Sequence, residues 1–86
     1  MTNTQLEAFL TLCRYGNFTQ AAEHLFITQP ALSRLIKSLE SELGYTLFRR
    51  GKGQRQAVLT EEGQRFRAIA VDMNRLYRQA KSQETT

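Results

Sequence analysis

The chain has 86 residues, 41% of them apolar, which suits one small helical domain with a modest core and excludes wholesale disorder. No apolar run approaches the roughly 18 residues of a membrane span, and the N-terminus lacks the basic-then-apolar layout of a secretory leader. The single cysteine, Cys13, cannot form an internal disulfide, so a reducing, cytoplasmic location is expected. The net charge of +4 is unevenly spread. Up to Ser33 the only cation is Arg14, set against Glu7 and Glu23. From Arg34 to Arg55 stand Arg34, Lys37, Arg49, Arg50, Lys52 and Arg55, opposed only by Glu40 and Glu42. Such a concentrated basic stretch points to a polyanionic partner.

The first periodic segment puts Leu6, Phe9, Leu10 and Cys13 on one helix face, with Asn3 or Thr4 as N-cap and Gly16 as stop. Asn17-Phe18-Thr19-Gln20 has the form of a capping box and opens a second, short helix. Its inner face is Phe18, Ala21, Ala22 and Leu25, where two alanines permit the close approach of a tight helix-turn-helix corner.

Thr28 is the next N-cap, and Pro30 lies in the first turn, where a missing amide hydrogen costs little. On the helix that follows, to Leu43, one face is apolar: Leu32, Leu35, Ile36, Leu39 and Leu43. The other carries Pro30, Ser33, Arg34, Lys37 and Ser41, and no acid. The apolar side must be pressed on a core, leaving a compact set of hydrogen-bond donors outside. Gly44 ends the helix.

Leu47-Phe48 and Ala57-Val58-Leu59, separated by a stretch with Gly51 and Gly53, predict a two-stranded hairpin with cations at and beside its tip. Thr60 followed by Glu61 and Glu62 marks another helix start. That helix carries Phe66, Ile69, Ala70, Met73, Leu76, Tyr77 and Ala80 at spacings of three and four, close to a heptad seam. The tail 82–86 is polar. The expected fold is mainly α: a winged helix-turn-helix, with a three-helix core and a short two-stranded β wing, followed by a long C-terminal helix. Residues 1–60 form the DNA-binding unit in this reading, and 61–81 a dimerisation helix.

The mechanics follow from the parts. The segment 28–43 enters the major groove by its N-terminal half. Gln29 suits adenine and Arg34 guanine in two-pronged fashion, while Pro30 and Ala31 suit a thymine methyl. Ser33 is small enough to bring the backbone close and still donate. Free amides at Thr28 favour a phosphate. Arg49, Arg50, Lys52 and Arg55 carry the wing, 49–56, to phosphates or an adjacent minor groove.

These residues resemble the N-terminal domain of LysR-type transcriptional regulators. The resemblance rests on Phe9, Phe18-Thr19-Gln20-Ala21-Ala22, Leu25, Gln29-Pro30-Ala31-Leu32-Ser33-Arg34, Ile36, Leu39-Glu40, Leu43-Gly44, Leu47-Phe48, Arg50, Leu59-Thr60 and Gly63. It implies a DNA interface made by Thr28, Gln29, Pro30, Ser33 and Arg34, with Arg50 and its wing neighbours on the backbone; Thr19 and Lys37 are candidates beside them. It also implies that the last helix, 61–81, is the family's linker helix, which pairs with its twin in a dimer, and that an effector-binding domain lies outside this chain, where any small-molecule effector binds. Three features depart from the family pattern. The wing is about two residues longer than in many members, Arg49 stands where a glutamate is common, and Leu35 replaces a frequent polar residue.

Plainer readings exist for each feature. Arg34 and Lys37 alone fit a solvated helix face, and the wing cations fit protection of a hairpin edge. The last helix, above all Phe66, fits packing on its own domain. Cys13 reads as packing and His24 as a surface or half-buried residue; neither is placed to bind a metal. Glu61 and Glu62 are adjacent and make a poor acid–base pair. With no nucleophile–base pair, phosphate loop or metal cluster, an enzyme is the weakest reading, and neither a cofactor nor a membrane is expected. The leading expectation is a sequence-specific, dimeric transcription regulator on inverted-repeat duplex DNA. The alternatives are a protein-interaction or dimerisation module without specific DNA binding, and a nucleoid-type binder without sequence preference.

Overall fold

The computed structural model describes residues 1–51 and 55–83. Its elements are α1 (Asn3–Tyr15), α2 (Phe18–Leu25), α3 (Gln29–Leu43), β1 (Phe48–Arg50), β2 (Ala57–Leu59) and α4 (Glu61–Gln83). This is the winged helix-turn-helix expected, with four helices and one antiparallel two-stranded sheet among the described residues.

The starts of the helices and the stops of α1, α2 and α3 each have a chemical cause. Thr2, not Asn3 or Thr4, caps α1: its Oγ1 accepts from Gln5 N at 3.1 Å, while Thr2 N donates to Gln5 Oε1 at 2.7 Å. Tertiary structure decides the position, because Gln5 is buried and donates from Nε2 to Ser38 Oγ of α3 at 2.9 Å. Asn17 caps α2, its Oδ1 accepting from Gln20 N at 3.0 Å. Thr28 caps α3 through Ala31 N at 3.2 Å. Gly16 and Gly44 stop α1 and α3 in the left-handed region, at φ 64° and 86°. The stop of α2 is unusual. Phe26 adopts φ 59° and is 94% exposed, and Ile27 N closes a Schellman turn by donating to Ala22 O at 3.0 Å.

The core is centred on Phe9, which meets the rings of Phe48 and Phe66 at 5.4 and 5.0 Å. Leu6, Leu12, Phe18, Ala21, Ala22, Leu32, Ile36 and Leu39 close around it. Leu10 and Cys13, expected inside, are half-buried, and Ala8 and Leu12 take the interior instead. Since α1 packs against α2, α3 and α4, it buries a wider and differently phased face than a single stripe predicts.

In the wing, Phe48 pairs with Leu59, Arg49 with Val58 and Arg50 with Ala57. Leu47 stays outside the strand. Its N–H donates to Glu40 Oε2 at 2.6 Å, and its carbonyl accepts from Thr60 N at 3.0 Å. The α1–α2 corner adds a third backbone segment that the sequence reading lacks. Phe18 N donates to Arg55 O at 2.7 Å, Ala57 N to Gly16 O at 3.0 Å, and Asn17 bridges Gln56.

Thr60 caps α4 by accepting from Gly63 N at 2.9 Å. Gly63 is buried, and a Cβ there would lie 2.2 Å from the Leu47 carbonyl oxygen. After Ala70 the helix leaves the core, and nearly every side chain is exposed. Ser82 and Gln83, assigned above to the polar tail, still belong to α4; the rest of the tail, 84–86, lies outside the described residues.

Two substitutions test this account. Gly63→Ala forces the α4 start off the Leu47 carbonyl and should cost about 2 kcal/mol, or roughly 10 °C in thermal melting. Phe26→Gly should raise stability by about 1 kcal/mol, because it relieves a left-handed backbone and removes no packing. An unchanged melting temperature in either variant would contradict the corresponding geometry.

Candidate nucleic-acid interface

The apolar side of α3 is seated by Leu32, Ile36 and Leu39, so its outward side is fixed by the core. Gln29, Pro30, Arg34 and Lys37 are exposed there and Ser33 is half-buried. Arg34 lies along its own helix, Nε donating to Pro30 O at 3.4 Å. The Thr28 hydroxyl accepts the Ala31 amide as a cap and keeps its own proton to donate.

The two acids of the basic stretch are both drawn away from this side. The Glu40 carboxylate turns to the wing base, where Oε2 accepts from Leu47 N and Phe48 N at 2.6 and 3.3 Å. Glu42 takes the terminal ammonium of Met1 at 2.6 Å. The cations on the N-terminal half of α3 therefore keep their field toward solvent.

On the wing, Arg49 and Arg55 are exposed. Lys52, the tip candidate, lies outside the described residues. Arg50, expected on the phosphate backbone, is exposed too, and its side chain lies across the start of α2. Its guanidinium lies 3.9 Å from the centre of the Phe18 ring, and its Nη2 donates to Ser33 Oγ at 3.0 Å. The physical reason is local: strand pairing sets Arg50 beside the α2 start, where an aromatic face is available to stack on. A shallow groove of about 180 Å³ runs between α3 and the wing, lined by Phe18, Ser33, Lys37 and Arg50 among others. Thr19 also departs from expectation. Its hydroxyl is buried and has no hydrogen-bond partner among the described residues, so in this rotamer it does not face a phosphate.

The seam of α4 divides in two. Phe66 and Ala70 are 3% and 0% exposed and belong to the domain's own core, which corrects their assignment to a dimer face. Helical spacing alone cannot separate two adjacent stripes, and the first half of α4 overlies α1. Ile69, Met73, Leu76, Tyr77 and Ala80 are exposed. Met73, Leu76 and Tyr77 join Met1, Thr2, Asn3 and Leu6 around a groove of about 560 Å³, whose α1 side sequence reasoning missed.

His24 is exposed and hydrogen-bonds the Tyr15 hydroxyl through Nδ1 at 3.1 Å. Among the described residues no three His, Cys, Asp or Glu side chains converge on a metal position, and no helix is long and apolar enough to cross a membrane. Burial pushes the Cys13 thiol up to about 11 from an ordinary 9.0, with Arg67 opposing the shift.

Residues 3–64 match the model of the bacterial regulatory helix-turn-helix proteins of the lysR family. The chain is 49% identical over 66 residues to the HTH-type transcriptional regulator CfxR of Cupriavidus necator, covering 77% of this chain and 20% of the relative. It is 52% identical over 61 residues to the glycine cleavage system transcriptional activator of Escherichia coli, covering 71% and 19%. The chain thus spans about a fifth of the length of these curated relatives. Two solved structures of protein–DNA complexes superpose closely. The CbnR DNA-binding domain has a TM-score of 0.90 at 29% identity, covering 99% of this chain and 95% of that one. The BenM DNA-binding domain on benA site 1 DNA has a TM-score of 0.88 at 36% identity, covering 99% and 96%.

The thiol shift makes a prediction with a definite sign. A raised folded pKa means that stability is full below about pH 9 and falls as pH rises from about 9 to about 11, where the unfolded chain alone releases the proton. Alkylation of Cys13 at pH 7.5 should be much slower in the folded chain than in urea. Equal labelling rates would contradict the burial.

Proposed function

This chain belongs to the LysR family of bacterial regulatory helix-turn-helix proteins and is a winged helix-turn-helix DNA-binding domain, and we propose how its residues divide that work. The observation that carries the proposal is the acid-free outer side of α3, with Gln29, Pro30, Ser33 and Arg34 set opposite an inner stripe buried at Leu32, Ile36 and Leu39. Its N-terminal half enters the major groove, with Arg34 on guanine and Gln29 on adenine. Pro30 gives apolar contact, and Thr28 with the first free amides of α3 holds a phosphate. Lys37, one turn further on, lies toward the backbone. Arg49 and Arg55 carry the wing to phosphates, with Lys52 beside them in sequence.

Residues 1–60 act as the reading unit and 61–81 as the linker. Ile69, Met73, Leu76, Tyr77 and Ala80 meet the same surface of a second copy, because a strip this apolar beside the Met1–Leu6 groove is poorly suited to water. A two-fold dimer requires two half-sites, so the operator is an inverted repeat. The full regulator, longer than this chain by analogy with its relatives, takes its small-molecule effector outside it. A second reading, in which α4 is the working surface and the basic side is incidental, draws on the same exposed Ile69 and Leu76; a DNA titration separates the two.

Selection of bound duplexes from a random pool should return an inverted repeat. Arg34→Ala should relax one base position by about 1–3 kcal/mol. Arg55→Ala should weaken all sequences alike and reduce the salt slope by about 0.9. Equal losses on selected and random DNA in both variants would refute the division of roles. Leu76→Arg should leave the fold intact, give a monomer in sedimentation, and weaken binding to a two-half-site duplex about a hundredfold. A dimer that survives it would move the interface elsewhere.

A further inference from the structure

We propose that the cleft between α1 and α4 is a second anion site, separate from the DNA-reading side, and that it takes a small oligophosphate. Three helices bring cations to this one cavity, and a single acid stands among them.

The cleft holds about 420 Å³, within the range of about 300–1,000 Å³ typical of small-molecule sites. Arg14 reaches it from the last turn of α1 and His24 from the last turn of α2. Arg78 and Lys81 reach it from the exposed half of α4. Asn3 adds the positive end of the α1 dipole, in a first turn that carries no acid. No lining residue comes from α3 or the wing, so the inference stands apart from the DNA reading.

These charges are uncommitted. Arg14 and Lys81 lie 5.9 and 5.7 Å from the ring centres of Tyr15 and Tyr77, and neither has an acid partner among the described residues. Arg78 makes no ion pair or side-chain hydrogen bond among them, and neither does the half-buried Asn74 amide in the same wall. The other acids of α4 are engaged along their own helix, Asp72 with Arg75 at 3.6 Å and Glu61 with Arg65 at 3.1 Å. Glu7 is the one acid lining the cleft, and it pairs with none of the cations there.

Like charges around one cavity repel each other, and its walls focus their field inward. A bound anion relieves the repulsion. Arginine forks take phosphate oxygens in two-pronged fashion, and lysine adds a point charge. Arg14 and Arg78 stand on different walls, so a shared ligand must offer oxygens in two directions. A chain of tetrahedral phosphoryl groups does this and brings enough charge for all three cations; a single planar carboxylate does not. Bound there, an oligophosphate ties the exposed half of α4 to α1 and α2.

The test uses the 86-residue chain, with tripolyphosphate as the probe in titration calorimetry. One equivalent should bind. Arg14→Gln and Arg78→Gln, on different helices, should each weaken it about tenfold or more. Both side chains are exposed, so the fold should be unaffected. Glu7→Gln should tighten binding about threefold by removing the opposing charge. Arg34→Ala and Arg55→Ala, on the DNA-reading side, should leave it unchanged. Citrate should bind about tenfold more weakly. Amide exchange over 74–83 should slow when tripolyphosphate is added to the unmodified chain, and not in Arg78→Gln.

Absence of binding at millimolar tripolyphosphate overturns the proposal. So does binding that survives Arg14→Gln and Arg78→Gln but is lost in Arg34→Ala or Arg55→Ala, because the probe then sits on the DNA-reading side. Equal weakening in all four variants reduces the effect to net charge and refutes a built site. Citrate that binds as tightly as tripolyphosphate refutes the phosphoryl class.

Discussion

Glu40 joins the two halves of this domain, and most of the remaining geometry depends on how it does so. One carboxylate oxygen receives two successive backbone amides, Leu47 N and Phe48 N, as the chain leaves α3 for the wing. Charge-assisted bonds of this kind are shorter and stronger than neutral ones, and they replace the partner that Leu47 N lacks before strand pairing begins. With Leu47 N held, the Leu47 side chain is wholly buried and its carbonyl is presented to Thr60. The start of α4 then sits against that carbonyl, at a distance only glycine permits at position 63. A single acid on α3 thereby sets the first strand and, through Leu47, the direction of the last helix.

The same placement shapes the electrostatics. Glu40 is one of only two acids between Arg34 and Arg55, and structural work takes it off the outer side of α3. Glu42 is engaged at the other end of the domain by the Met1 ammonium. A basic side can thus coexist with the acids that a stable helix and wing require, because those acids are spent on amides and on a distant ammonium. Counting charges along the chain underestimates this separation, which exists only once the helix is folded against the wing.

Much of the fold was legible because local chemistry and periodicity agree. Thr28, Pro30 and Gly44 bracket α3, and the Leu32–Ile36–Leu39 stripe reports its buried side without outside help. Where neighbours decide, the sequence is ambiguous. Thr2 and Thr4 both stand three residues before a Gln or Glu, and only the reach of Gln5 to Ser38 selects Thr2. Phe26 has no glycine-like signature, yet it takes a left-handed conformation because the turn between α2 and α3 is otherwise determined. The stacking of Arg50 on Phe18 could not be inferred from a run of wing cations, since it depends on that ring arriving from the α1–α2 corner. Phe66 and Ala70 differ from Ile69 and Leu76 only in which stripe α1 covers.

That last distinction bears on how the domain could transmit geometry. The first turns of α4 are bound at three points: the Thr60 cap, the Gly63 contact with Leu47, and the Phe66 ring on Phe9. Beyond Ala70 the helix continues as an exposed rod, and its 23 residues span about 34 Å in all. A rod clamped at its base carries the orientation of that base to whatever meets its free side. Any surface seated on Ile69 and Leu76 is therefore referred, through Phe66, Phe9 and Leu47, to the same core that aims α3. In a symmetric pair, the separation and tilt of the two recognition helices would follow from this chain of packed contacts.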